Sequence, residues 1–498
     1  MKTLHLIALI CLLPVAFLHA AGLRAGVARM DITERAGVTV NDPLYAKALV
    51  LKSDSATVVL ITIDAVAIGE IGRIGNRFLP NIRAQLQKDL GIAPSSVLIN
   101  ASHCHGVVVT NTEQLTVQAV KEAWKNLVPV KVGAGAAQES RISENRRLRM
   151  KDGGEIDMRR AYSLPRDEDV AGVGPIDPEV GLLRIDREDG RPLAVLYNFA
   201  CHPIMNPPNK GNSADYPGFA SRLIEEGLGN GAMAFFVQGC GGDINPVRYK
   251  DVGNPPDAEP LGNLLGMTVL TAVKKIPTRP DAALKIVNET VRIPRGADYD
   301  SRIAAIEKEQ ARLLRSLKPT DINFRSFLPL YLQQKLSPSH PSFYSQGYLH
   351  DKSVGRDDLA KLDESNRKNV EAYLENIQSM ERLTRLNVNL ALLKRHLAEA
   401  KAAGSSGLDV EILGVRVGDF QLVTFPGELT VEIGLEIKKR AGRPHSFVAG
   451  YSNGYIYYTP TEKQRGNTGY AQEDCDCIVA PEWQRIFESK ALEVLKGL

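Results

Sequence analysis

Apolar positions along this chain follow two patterns. Short, nearly continuous apolar runs bounded by turn residues alternate with longer stretches whose apolar positions recur every three or four residues. The first pattern predicts buried strands and the second amphipathic helices. The segment from Leu44 to Ile68 holds two strand-like runs around Ser53-Asp54-Ser55, which predicts a hairpin. Ser96 to Asn100, residues 128–134, Leu193 to Ala200 and Ala232 to Gly239 read as further strands. Residues 74–90, 114–126 and 217–227 carry helical spacing, with Asp215 as a candidate cap and Pro217 near the first turn. Strand signals return at 410–425 and at Ser446 to Tyr451, with a helix expected over 428–440 between them and a Tyr-rich loop after them. The alternation predicts an α/β fold, a mixed β-sheet domain flanked by helices. No internal repeat is legible.

From about 297 to 403 the pattern changes. Charged helical stretches flank residues 318–357, which are rich in Pro, Ser and aromatics. This block is expected to be a helical insertion, a lid or a wall over the site.

The 498 residues are 44% hydrophobic and 24% charged, an ordinary balance for a globular chain. The net charge of +3 gives no support for a nucleic-acid partner. Lys2, the apolar run Leu4 to Leu18 and the small residues Ala20, Ala21 and Gly22 predict a signal peptide over residues 1–21, removed to leave a domain over 22–498. No later stretch is apolar enough to span a bilayer, so the expected location is secreted or periplasmic. Cys11 would leave with the signal. Cys104, Cys201, Cys240, Cys475 and Cys477 remain, an odd number that excludes a complete disulfide framework and favours buried free thiols.

Candidate chemistry gathers where strands end. Asn100-Ala101-Ser102-His103-Cys104-His105-Gly106 places two histidines at i and i+2, on one side of an extended backbone. His202 also follows an apolar strand directly. Imidazole is the commonest metal ligand near neutral pH, and a zinc site draws a third or fourth ligand from carboxylates among others. Glu428 follows an apolar strand through a tight turn and is the candidate; alone it would read as a helix-start glutamate.

These segments, in this order, resemble the catalytic region of the neutral/alkaline non-lysosomal ceramidase family. The matching motifs are AGVARMDIT, NASHCHG, Asn145-Arg146, NFACHP, SADYPG, GCGGDINP, FPGELT and NGYIYYTPTE. The resemblance implies one zinc held by His103, His202, Glu428 and a tyrosine. Tyr458 is favoured because it directly precedes the Thr-Pro-Thr turn, with Tyr455 as the alternative. His105 and Arg146 match residues the family places near metal and substrate, although Arg146 also reads as one more cation in the run Arg146, Arg147, Arg149 and Lys151. Gly239 to Gly242 either present backbone N–H groups to substrate, with Gly241, Gly242 and Asn245 as contacts, or only make a tight turn. Asp243 is a candidate for orienting a ligand.

Two departures bear on the substrate. Asn245 stands where ceramidases carry a serine with an assigned catalytic role, and the family's C-terminal immunoglobulin-like domain has no counterpart before Leu498. The expected activity is a zinc-dependent amidase, in which zinc-bound hydroxide attacks an N-acyl linkage in a ceramide-like or other small-molecule or lipid-like substrate. The alternatives are an esterase or carbohydrate-directed hydrolase on the same scaffold, and a non-catalytic binding protein. A lipid substrate calls for an apolar groove, for which Phe327, Leu328, Leu330, Tyr331 and Leu332 are candidates. Oligomeric state is not encoded legibly.

Overall fold

The computed structural model describes residues 22–157, 165–206, 210–249, 257–280, 282–467 and 471–498. The expected signal peptide lies outside the described residues.

One strand–helix arrangement occurs three times. The first unit is a meander of β1 (Arg24–Asp31), β2 (Tyr45–Lys52) and β3 (Thr57–Ile63). Helix α1 (Phe78–Leu90) then leads to β4 (Val97–Ala101), which pairs parallel to β3, and α2 (Thr112–Lys125) follows. The second unit repeats this order with β5 (Val128–Gln138), β6 (Glu179–Arg187), β7 (Pro192–Phe199), α3 (Asp215–Leu228), β8 (Met233–Gln238) and α4 (Ala258–Val273). The third unit opens with β9 (Leu284–Pro294) and then carries α5 (Tyr299–Ser316), α6 (Phe324–Leu336), α7 (Ser345–Ser353) and α8 (Asp358–Ala403). It resumes with β10 (Gly407–Val417), β11 (Phe420–Thr424), α9 (Val431–Arg440), β12 (Ser446–Ala449) and α10 (Trp483–Gly497), again with an antiparallel meander and a final parallel pair. The sequence shows no repeat because the three units share topology and not residues.

The first two units join through β1 and β5 into one eight-stranded sheet, ordered β8-β7-β6-β5-β1-β2-β3-β4; the third forms a separate four-stranded sheet. Both of these sheets bury apolar side chains on their two faces. Leu49, Leu98, Leu183, Phe235, Leu413 and Phe447, drawn from all three units, meet in one common core. On the outer faces, Ile82 and Val120 of α1 and α2 pack on the first unit, and Phe219 and Leu265 of α3 and α4 on the second. Trp483 and Phe487 of α10 lie against Phe425, with ring centroids 5.3 and 4.2 Å away. Strands buried on both sides read as unbroken apolar runs, which is why Val97–Ala101 and Met233–Gln238 show no alternation. The mixed α/β class expected from the sequence is the class observed.

The strand signals at 410–425 belong to a hairpin of two strands, β10 and β11. Two local expectations need correction. Glu428 does not start a helix: it lies in a two-residue strand, and α9 begins at Val431. Asp215 heads α3 at a φ of 59°, with no side-chain cap bond recorded for that helix; its Oδ1 accepts from the Tyr216 N–H. No described helix is long and apolar enough to cross a membrane. Helices α5 to α8 all lie in the connection between β9 and β10, whose ends pair as Pro294 with Gly407. Helix α8 runs for 46 residues, about 69 Å at 1.5 Å per residue.

Candidate metal centre

The C-terminal ends of the third and fourth strands of the units converge, the usual site position in α/β sheets. His103 follows β4, His202 follows β7, Glu428 follows β11, and the segment Tyr451 to Tyr458 follows β12. Asn100 ties these ends together: its Nδ2 donates to Gly450 O at 2.8 Å and Ser452 Oγ at 3.0 Å, and its Oδ1 accepts from the Gln238 N–H at 2.8 Å.

His103 is held at a φ of 67°, a left-handed conformation that non-glycine residues adopt at a cost. The turn is fixed by Ser102 N–H to Ile63 O and His103 N–H to Ala65 O. It aims the imidazole inward, where the side chain is 3% exposed. His103 Nδ1 lies 2.6 Å from Val66 O, and His202 Nδ1 lies 3.0 Å from Ile244 O. A carbonyl oxygen only accepts, so each Nδ1 carries the hydrogen, and both Nε2 atoms turn towards one carboxylate. Glu428 Oε2 is 3.1 Å from His202 Nε2 and 3.4 Å from His103 Nε2. Burial alone would raise the Glu428 pKa; positive charge on the two histidines, together with a hydrogen bond from Tyr455, would hold it well below the usual carboxylate range. Two imidazole lone pairs and a carboxylate in contact repel unless protons or a cation lie among them.

His103, His202 and Glu428 form the one group of three or more potential ligands among the described residues, with donor atoms within 4.8 Å of one another. Three tyrosines surround it. Tyr458 Oη is 3.5 Å from His202 Nε2. Tyr455 Oη donates to Glu428 Oε1, and Tyr451 Oη to Oε2 at 3.2 Å. Tetrahedral zinc with bonds of 2.0–2.1 Å needs ligand atoms roughly 3.3 Å apart. The separations of His103 and His202 from Glu428, and of Tyr458 from His202, match that spacing. The donor set therefore fits zinc.

Arg146 is buried, and not one of a run of surface cations. Its Nε donates to Glu473 at 2.6 Å, Nη1 to Asn245 Oδ1 at 3.1 Å and Nη2 to Gly242 O at 2.5 Å, and its Cζ stands 5.4 Å from the Tyr458 ring centroid. Arg147 pairs with Asp474 at 3.0 Å, Glu155 at 2.9 Å and Glu473 at 3.3 Å, so buried acids balance the two guanidiniums. Asp243 accepts from the Val431 N–H at 2.8 Å and Asn145 Nδ2 at 3.2 Å, bracing the loops behind the ligands. Burial raises its pKa to about 6 against the pull of Arg147. His105 is exposed, with its ring 5.6 Å from that of His103.

The Gly-rich turn does not serve as a donor cradle. Gly239, Gly241 and Gly242 N–H groups go to Phe199 O, Gly239 O and Leu429 O. A Cβ at Gly242 would stand 2.5 Å from Glu428 O, so glycine is there to admit the ligand-bearing strand. Asn245 lies in the buried strand pair 244–246 with 143–145, and its Oδ1 accepts from Arg146 Nη1. The Gly241 and Gly242 N–H groups and the Asn245 Oδ1, where substrate contacts are expected, are engaged within the protein. The expected apolar groove is also elsewhere. Phe327 stacks on Tyr373 of α8, while His396 of the same helix contacts Tyr457, 23 residues and about 35 Å further on. The insertion meets the segments around the centre through the C-terminal half of α8 and through Arg302 of α5, whose guanidinium donates to Asp474 O at 2.7 Å.

Sequence reasoning missed Tyr451, Glu473 and the carbonyls of Val66 and Ile244. Tyr451 carried the same signal as His103, a polar group closing an apolar strand. Backbone carbonyls carry none. The five described cysteines are buried and free, and burial pushes their thiols up, which makes them poor nucleophiles.

No family model and no curated protein matches the sequence. Solved structures do. The crystal structure of neutral ceramidase from Pseudomonas aeruginosa superposes with a TM-score of 0.58 and 16% identity, over 95% of this chain and 74% of that one. A structure described as ceramidase complexed with C2 gives the same score and identity, over 95% of this chain and 75% of that one. At this identity the likeness is one of architecture, and on that ground the chain has the fold of neutral ceramidase.

Proposed function

We propose that this chain is an exported zinc-dependent hydrolase that cleaves an N-acyl amide linkage. The observation that carries the reading is the pair of Nδ1–carbonyl contacts turning His103 Nε2 and His202 Nε2 onto the Glu428 carboxyl. Tyr458 is the proposed fourth ligand. A zinc ion held by this set would supply a Lewis acid and a bound water acidic near neutral pH. His105, exposed beside His103, would carry a proton between the leaving amine and solvent. Arg146, through Tyr458, keeps positive charge beside the reacting carbonyl. Asp243 fixes the two loops behind the ligands. Asn245 supplies no nucleophile, which favours water as the attacking group and an acyl substrate other than ceramide itself.

Metal content by mass spectrometry, with turnover of a panel of N-acyl amides and the matching esters, tests this. About one zinc per chain, lost with activity in His202→Ala, is expected. Turnover unchanged in a zinc-free His202→Ala protein would overturn it, and cleavage of esters alone would move the assignment to an esterase.

A further inference from the structure

The exposed apolar surface of this chain is concentrated in one place. Among the described residues, eleven of the fourteen large hydrophobic side chains left exposed lie between Leu314 and Met380, within the connection from β9 to β10. Helix α6 sets Phe324, Leu328, Leu332 and Leu336 at four-residue spacing, 64, 45, 48 and 84% exposed. The loop to α7 adds Phe343 and Tyr344, 60 and 80% exposed. Apolar side chains clustered in this way mark an interaction surface.

The exposure is built. Phe327, on the inner side of α6, is buried and stacks on Tyr373 with centroids 4.8 Å apart. Asn323 caps α6, its Oδ1 accepting from the Arg325 N–H at 2.9 Å. The hydroxyls of Ser342 and Tyr348 both donate to Asp363 of α8, which pins the loop carrying Phe343 and Tyr344. The side chains that hold the tip together are polar or buried.

Charge indicates the occupant. Between Asp321 and Asp351 the chain carries Arg325, Lys335, His340 and His350 and no Asp or Glu. A two-fold contact with a second copy would set Arg325 and Lys335 against their own copies. An anionic bilayer complements it: Phe and Leu enter the headgroup boundary, Tyr sits at the interface, and Lys and Arg reach lipid phosphates with their stems on the apolar surface. We propose that α6 and the loop to α7 dock on a bilayer surface bearing anionic lipids. The tip stands about 35 Å along α8 from the segment touching Tyr457, so it is a surface anchor separate from the metal centre. The inference does not depend on metal or activity.

Sedimentation of the purified protein with phosphatidylcholine vesicles, with and without phosphatidylglycerol, tests it. Binding is expected to the anionic vesicles, to weaken with salt, and to fall roughly tenfold or more in Leu328→Asp/Leu332→Asp. Arg325→Glu/Lys335→Glu should lose the preference for anionic lipid. If circular dichroism shows that the first variant has lost helix, Phe343→Ser/Tyr344→Ser puts the same question to the loop. No binding by the wild type, or binding unchanged in the folded variants, overturns the proposal. A concentration-dependent dimer that the variants dissociate, without vesicle binding, overturns it in favour of a second copy.

Discussion

Glu428 and Tyr458 stand opposite each other as register partners in a two-residue parallel ladder, with the Glu428 N–H bonded to Tyr457 O at 2.9 Å. The ladder fixes the carboxylate and the phenol as one rigid unit, which no separate loops could do.

Tyr458→Phe is therefore expected to lower zinc affinity by at least roughly tenfold. Tyr455→Phe should cost less, because that hydroxyl serves the other carboxylate oxygen. Competition with a chromogenic chelator measures both. A larger loss in Tyr455→Phe would reassign the fourth ligand.

Gly242→Ala would push a methyl into backbone at 2.5 Å from Glu428 O and 2.8 Å from Leu429 O. Backbone cannot rotate aside, so the expected cost is about 2–3 kcal/mol in urea unfolding, together with weakened metal binding from a displaced Glu428. Full stability and full zinc content would show that the turn has slack.

Glu473→Ala leaves Arg146 and Arg147 buried with part of their counter-charge gone. Removing one partner of a buried pair costs about 3–5 kcal/mol. Glu473→Gln, which keeps an acceptor for Arg146 Nε, should recover part of it. A loss under about 1 kcal/mol in the alanine variant would mean that Asp474 and Glu155 carry the balance unaided.

Asp215 gives a pH signature. Burial raises its pKa from 3.8 to about 7, against hydrogen bonds from the Tyr216 and Asn206 N–H groups. An acid that holds its proton more tightly folded than unfolded favours the fold at low pH. That contribution drains away as pH rises from 3.8 towards 7. The melting temperature of metal-free protein should fall across this window. Asp215→Asn, less stable overall, should lose that slope; an unchanged slope would place the titration elsewhere.

Much of this was legible in the sequence for one physical reason: polar side chains that close buried strands are costly unless used. That reasoning reached His103, His202 and Glu428, and the structure brings all three together. It could not reach Val66 and Ile244, which act through carbonyls every residue possesses, nor Glu473, whose partners are 327 and 326 positions away. The glycines of 239–242 left two readings open, substrate donors or a tight turn, because close backbone approach leaves the same mark as ligand binding. Apolar residues in the insertion suggested a groove near the centre, because composition reports exposure to an apolar phase without saying where that phase lies.

His202 and Glu428 are 226 residues apart, and with His103 they come one from each of the three units. A cation shared among them acts as a staple, closing very long loops that the unfolded chain would otherwise sample freely. No fragment holding one or two units possesses the full ligand set. Bound metal would thus report that the third unit has closed on the other two, and chelation should loosen the whole assembly and not only its reactive centre.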